Sequence, residues 1–441
     1  MPFLHARWAF VAALGITVAG TTPIPARADA DAPRAIAAWP AGLMEVRVAF
    51  DRPVRPGIEK ALVGKTIRVD ESAQRLNGLR APSAPPSLAK QGPAIAAARL
   101  ENGGKLLVLA TDPHSRPAVY YLALPGPTQD IPYDLSGVDV TWDAGGDDPK
   151  PAWTGWWPDL SPESTRAATR GSVEHERGLA FLSKPGRLTL RTLLALPQGK
   201  VIVRLASSQP IAEAVLGGES GEPKSDATGE SVVEFPLEAT NDPIDLTVTI
   251  QTRTGAKPFA LKATYHTESS PPQPLRPGQL SVPWAPGTPP APATPPAPPD
   301  LAGGDPKRGE ALFFGETAKC ANCHQIRSKG GKVGPDLTDV FRRPAAEVYR
   351  DIAEPSAVIR TDFIPYTLAL KDGRVLAGIV RAEGADAVRL TDTEAKATVI
   401  ARAEIEDLRP SATSVMPVGL VGAIGEANMR DLIAFLMRPN K

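Results

Sequence analysis

The stretch "KCANCHQIRSKGGKVGPDL", residues 319–337, holds the only two cysteines of the 441-residue chain. Cys320 and Cys323 stand three apart, and His324 follows directly. Three chemistries use such a cluster. A redox dithiol would sit in a strand–helix–strand context, but here a helix precedes the motif and a Gly-rich loop follows it. A zinc site needs four ligands, and there is no second cysteine pair. In covalent haem attachment, each thiol adds to a vinyl group and the adjacent His takes the iron. The Cys-x-x-Cys-His spacing therefore predicts one haem c, bound through Cys320 and Cys323.

The flanks define a domain around this motif. "DPKRGEALFF" (305–314) places Asp305 as a helix N-cap and Pro306 at the first helical position. Gly309 and Phe313 fall four apart, on one helical face. "EANMRDLIAFLM" (426–437) is a second amphipathic helix. Three methionines follow the motif. Packing accounts for Met429, and Met437 sits at a helix end. Met416, in the loop "SVMPVGL" (414–420), has neither explanation and is the candidate second axial ligand.

These features closely resemble the class I c-type cytochromes. The resemblance implies that Gly309 and Phe313 cross a C-terminal helix at Phe435. It also implies that Pro335, in "VGPDL", offers its carbonyl to the second nitrogen of His324. His324 and Met416 would then be the metal ligands. Met416 lies 92 residues past His324, and residues 363–410 account for 48 of them. "YTLALKDGRVLAGIV" (366–380) reads as a hairpin with Asp-Gly at its turn. "AVRLTD" (387–392), "ATVIA" (397–401) and "IEDLRP" (405–410) continue a meander. This insert resembles that of a subgroup of haem-binding domains found at the ends of exported multidomain proteins. The resemblance covers about residues 304–438.

The rest of the chain reads as β-structure. "EVRVAF" (45–50), "AVYYLAL" (118–124), "RLTLRTL" (187–193), "KVIVRL" (200–205), "SVVEF" (231–235), "IDLTVTI" (244–250) and "FALKATY" (259–265) are short alternating runs broken by turn residues. They predict two antiparallel β-sandwiches, residues 31–130 of immunoglobulin-like type and residues 131–270. Residues 271–299 contain 13 prolines and read as a stiff spacer. The predicted fold is thus multidomain: two β-sandwich (Ig-like) domains, a linker over 271–300, then a mainly α cytochrome c domain over 301–441 carrying the β insert. Trp153, Trp156 and Trp157 either plug a sandwich end or stack on sugars. His114, His175 and His266 have no ligand-spaced neighbours and read as structural or surface residues.

Composition narrows the setting. Lys plus Arg equals Asp plus Glu at 49 each, so nothing suggests nucleic acid. Residues 1–30 read as a secretory signal peptide, with an uncharged apolar run and small residues at Ala26, Ala28 and Ala30. Cleavage after Ala28 or Ala30 predicts a periplasmic or exported protein with no membrane span. An uncleaved anchor is the other reading, disfavoured by the short apolar run.

The predicted function is a periplasmic cytochrome, an electron-transfer protein and not an enzyme by itself. One His/Met-ligated haem would serve redox partner proteins, such as a periplasmic dehydrogenase. Lys319, Arg327, Lys329 and Lys332 would favour an acidic partner or simply be solvated. Two alternatives remain open. One is the haem electron-accepting subunit of a sugar or polymer oxidation system, with the β-sandwiches holding polysaccharide. The other is a gas sensor with an open iron.

Overall fold

The computed structural model describes residues 32–70, 90–115, 117–125, 130–146, 150–255, 258–285 and 303–439. The predicted leader, and the spacer from residue 286 onward, lie outside the described residues.

The first β unit is one continuous antiparallel sheet. Its strands are β1 (Ala35–Gly42), β2 (Glu45–Phe50), β3 (Thr66–Asp70), β4 (Lys90–Glu101), β5 (Leu106–Thr111), β6 (Val119–Leu122) and β7 (Ile131–Tyr133). A short helix, α1 (Ile58–Leu62), joins β2 to β3. The strand order is β1-β2-β5-β4-β3-β6-β7. This differs from the expected two-sheet sandwich. Register shifts in the β3–β4 and β4–β5 pairings let the sheet bend over its own core. Val46, Val48, Ile67, Leu107, Leu109 and Tyr120 fill that core.

The second unit is a two-sheet sandwich. One sheet orders β13 (Glu219–Ser220), β12 (Ile211–Leu216), β16 (Ile244–Thr252), β10 (Gly186–Leu194), β8 (Val138–Asp143) and β9 (Trp153–Trp157), with β19 (Leu280–Ser281) on β10. The facing sheet orders β14 (Lys224–Ser225), β15 (Ser231–Ala239), β11 (Gly199–Ser207), β17 (Leu261–Thr267) and β18 (Gln273–Pro274). Alternate residues of both sheets, among them Leu188, Leu190, Val203, Leu205 and Val248, meet in one core. Two helices, α2 (Pro162–Thr169) and α3 (Val173–Leu179), follow β9.

The tryptophans of β9 are packing residues. Trp157 and Trp153 are buried. Trp156 donates its indole N–H to the Ser136 carbonyl at 2.8 Å. His175 Nε2–H donates to the Trp156 carbonyl at 2.9 Å, and its Nδ1 lies 2.6 Å from the Ser172 hydroxyl. His114 is likewise buried: Nδ1–H donates to the Leu43 carbonyl and Nε2 meets the Tyr133 hydroxyl.

The C-terminal region is mixed rather than mainly α, which corrects the expected cytochrome domain. Its helices are short: α4 (Pro306–Phe314), α5 (Cys320–Cys323), α6 (Ala345–Ala353), α7 (Leu420–Ile424) and α8 (Glu426–Leu436). Pro344, Gly315, Gly419 and Gly425 bound them and stop propagation. A two-stranded ribbon, β20 (Gln325–Ile326) and β21 (Lys329–Gly330), follows α5. Between α6 and α7 lies a five-stranded antiparallel meander. It comprises β22 (Tyr366–Leu370), β23 (Val375–Glu383), β24 (Ala387–Thr391), β25 (Ala397–Ala401) and β26 (Ile405–Pro410), in the order β25-β24-β23-β22-β26.

The meander does not pack on the helices that flank it in sequence. Its buried face, with Tyr366, Leu368, Val380, Val388 and Leu390, closes over Leu43 and Met44 at the β1–β2 turn. The Ala382 backbone N–H donates to Asp112 at 2.8 Å across this seam. The helices form a separate core around Phe313, Met429, Leu432 and Phe435. No described helix is long and apolar enough to cross a membrane.

Candidate functional site

The site is built on α4 and α8. Asp305 caps α4 by accepting from the Lys307 N–H at 2.8 Å, and Pro306 opens the helix. At the crossing, a Cβ on Gly309 would stand 2.0 Å from the Asp431 carbonyl oxygen, so only glycine allows this approach. Phe313 and Phe435 meet there with ring centroids 5.6 Å apart. Asp431, on α8, accepts from the Asp305 N–H at 2.6 Å and from Arg308 Nε at 2.6 Å. These hydrogen bonds hold its carboxyl below the usual range.

One helical turn carries both cysteines, and His324 N–H closes it on the Cys320 carbonyl at 2.9 Å. The following loop folds back over the turn. Gly331 N–H donates to Ala321 O at 2.7 Å and Gly334 N–H to Cys323 O at 2.8 Å. Asp336 pins the far end by accepting from the Thr338 backbone and from Gln325. The return brings the Pro335 carbonyl to His324 Nδ1 at 2.9 Å. A carbonyl only accepts, so the proton sits on Nδ1 and Nε2 keeps its lone pair. The imidazole lies against Gly334, where a Cβ would stand 2.6 Å from Cε1.

Electrostatics sort the possible chemistries. Both cysteines are free thiols. Burial pushes Cys320 up to about 11 and raises Cys323 as well. Burial therefore disfavours the thiolate form of both cysteines in the free chain. Burial lowers His324, keeping its imidazole neutral. The arrangement is a pair of protonated thiols beside a neutral, oriented imidazole.

Cys320, Cys323, His324 and Pro335 are thus brought together. Met416 lies on another segment, half-buried against the helical core that also receives Cys320. Its N–H donates to Ser414 Oγ at 3.1 Å, and Ser414 N–H donates to Ser356 Oγ at 3.1 Å. The sequence reading missed the Asp431–Arg308 pair and the contact of Gly334 with the ring. The glycine was visible inside "VGPDL"; the pair joins residues 123 apart and has no local signal. Around the motif, Lys319 reaches Glu316 at 3.5 Å, and Arg327 lies over the Phe435 ring at 5.8 Å.

No family model matches the chain, and no curated protein matches it. Solved structures that resemble it include an anti-sigma factor domain-containing protein, at 9% identity and TM-score 0.26, covering 57% of this chain and 91% of that one. A PA14 sugar-binding domain from an RTX adhesin, at 10% identity and TM-score 0.25, covers 34% of this chain and 99% of that one. An anti-sigma factor domain-containing protein from Clostridium clariflavum, at 9% identity and TM-score 0.25, covers 54% and 84%. Likeness at this level carries no argument about function.

The resemblance to c-type cytochromes is therefore corrected, together with the electron-carrier function and its two haem-based alternatives. Among the described residues strands predominate and 21% are helical, so the mainly α cytochrome domain is absent from the C-terminal region. Among the described residues no group of three or more His, Cys, Asp or Glu is placed to hold a metal ion. What stands is a multidomain, β-rich chain of several antiparallel sheets, with an oriented thiol–imidazole turn near its C-terminus.

Proposed function

We propose that the turn Cys320–His324 is a covalent attachment site for one haem c, and that this chain is a cofactor-carrying β-rich protein. No electron-carrier role is attached to this reading. The observation that carries it is the oriented His324, with Nδ1 committed to Pro335 and Nε2 left as the ligand atom. Two free thiols on one helical turn are placed to hold the group by two thioether bonds, each adding S–H across a vinyl double bond. When bound, the group would supply a ligated iron. Cys320 and Cys323 would hold it covalently and His324 would be an iron ligand. Met416 is the candidate second ligand, on a loop tethered through Ser414 to Ser356.

The test is maturation of the full chain in a bacterial host with and without a c-type haem-attachment system. The expected result is haem staining that survives denaturing electrophoresis at the full-chain mass, only in the equipped host. Cys320→Ser with Cys323→Ser should abolish it. An unstained chain, or stain retained in the double variant, would overturn the reading.

A further inference from the structure

A cavity of about 210 Å³ lies in the seam between the first sheet and the meander. Its polar lining includes Asp112, Ser115, Asp362, Tyr366 and Arg381, and Tyr120 gives it an aromatic wall. None of these residues belongs to the Cys320–His324 site. The volume falls below the roughly 300–1,000 Å³ of pockets for drug-sized ligands, so an occupant has the size of a single ring.

The lining carries unmet hydrogen-bonding capacity. Tyr366 is 2% exposed, yet its hydroxyl has no partner among the described residues. A buried polar group left in this state costs about 1–3 kcal/mol and calls for a bound water or ligand. Asp112 Oδ1 accepts the Ala382 N–H, while Oδ2 stands 3.9 Å from Arg381 Nε, beyond hydrogen-bond reach. Arg381 is itself aimed by the Val380 carbonyl at 3.3 Å and by the Asp362 carbonyl. The seam thus presents a carboxylate oxygen that accepts, a guanidinium that donates, and a phenol that does both.

We infer that this cavity binds a small neutral polyhydroxylated molecule of single-sugar size. Two hydroxyls on adjacent carbons match the site. One donates to Asp112 Oδ2, and its neighbour accepts from Arg381 or Tyr366. An anion would meet Asp112 and Asp362, and a cation would meet Arg381. An apolar molecule would leave the phenol and carboxylate unmet. Tyr120 and Pro113 supply the apolar wall that a ring's C–H face covers. The inference is independent of haem attachment.

The test is saturation-transfer NMR and calorimetry on the full chain, with D-glucose, myo-inositol and glycerol as probes. Methylammonium and acetate serve as charged controls. The expected result is binding of at least one neutral polyol with a Kd of about 1 mM. Asp112→Asn should weaken it about tenfold and Tyr366→Phe several-fold. Tyr366→Phe removes a hydroxyl with no partner among the described residues, so its melting temperature without ligand should not fall below that of the parent chain. Three outcomes would each overturn the inference: no polyol binding, which assigns the cavity to water alone; equal binding by both variants; or a charged probe binding ahead of the neutral ones.

Discussion

Gly309 and Gly334 each stand where one added methyl group would collide with a functional contact. At Gly309 the obstacle is the backbone of α8, which cannot yield without opening the helix crossing. Gly309→Ala should destabilise the chain by about 1–3 kcal/mol, read as an earlier thermal transition by circular dichroism. At Gly334 the obstacle is the His324 ring itself, whose Cε1 would lie 2.6 Å away. Gly334→Ala should rotate the imidazole off Pro335 with little change in overall stability. The Nδ1–H proton resonance of His324, protected by that bond, should then exchange with water faster. Asp431 works at the same scale. Its folded carboxyl is held low by Arg308 and the Asp305 N–H. The stability it contributes is present above the unfolded carboxylate value and is lost as pH falls from there through the lower folded value. Asp431→Asn should lower the melting temperature at pH 7 and narrow the gap to the parent chain in acid.

The elements follow local rules to different depths. The α4 cap, the β22–β23 hairpin and the alternating strands of the sandwich were readable because each depends on neighbours within a few residues. The meander shows what was not readable. Its alternation told which residues face inward, but not which surface they face. Leu368 is 0% exposed within the cluster that also holds Leu43 and Met44. Leu368→Ala should cost about 2–5 kcal/mol. The loss should appear as faster hydrogen exchange in both the meander and the β1–β2 turn, while α4 and α8 stay protected. Faster exchange in α4 and α8 alone would contradict the packing described. The tryptophans of β9 teach a related lesson. Aromatics clustered in a loop-like stretch can mark a binding face, yet period-two alternation buries Trp153 and Trp157.

At the scale of the whole molecule, two buried histidines tie stability to pH. Burial lowers His114 and His175 to about 4, each hydrogen-bonded as a neutral ring. His114 faces Tyr133 and Tyr120; His175 faces Arg47 and Glu176. For a base with a depressed folded value, the neutral fold is favoured above the unfolded value near 6.5. The unfolded chain takes up protons first as pH falls, so stability declines from about 6.5 to about 4 and then levels. Each ring contributes on the order of 3 kcal/mol over that window. Urea denaturation at pH 7.5 and pH 4.5 should show the difference, and imidazole NMR should show two rings that stay neutral at pH 5. The sequence by itself determined the β-rich, multidomain composition, the cap of α4, and the proximity of Cys320, Cys323 and His324. All of these are set by spacing along a few turns of chain. It misled where local pattern was extended to a global identity, since a motif of five residues does not decide the layers around it. Only the tertiary structure decided that the first sheet is continuous, that the meander closes on β1–β2, and that Asp112 meets Arg381 across the seam. The last two join residues hundreds of positions apart, and long-range pairing is settled by which apolar faces are left to bury, not by any local spacing.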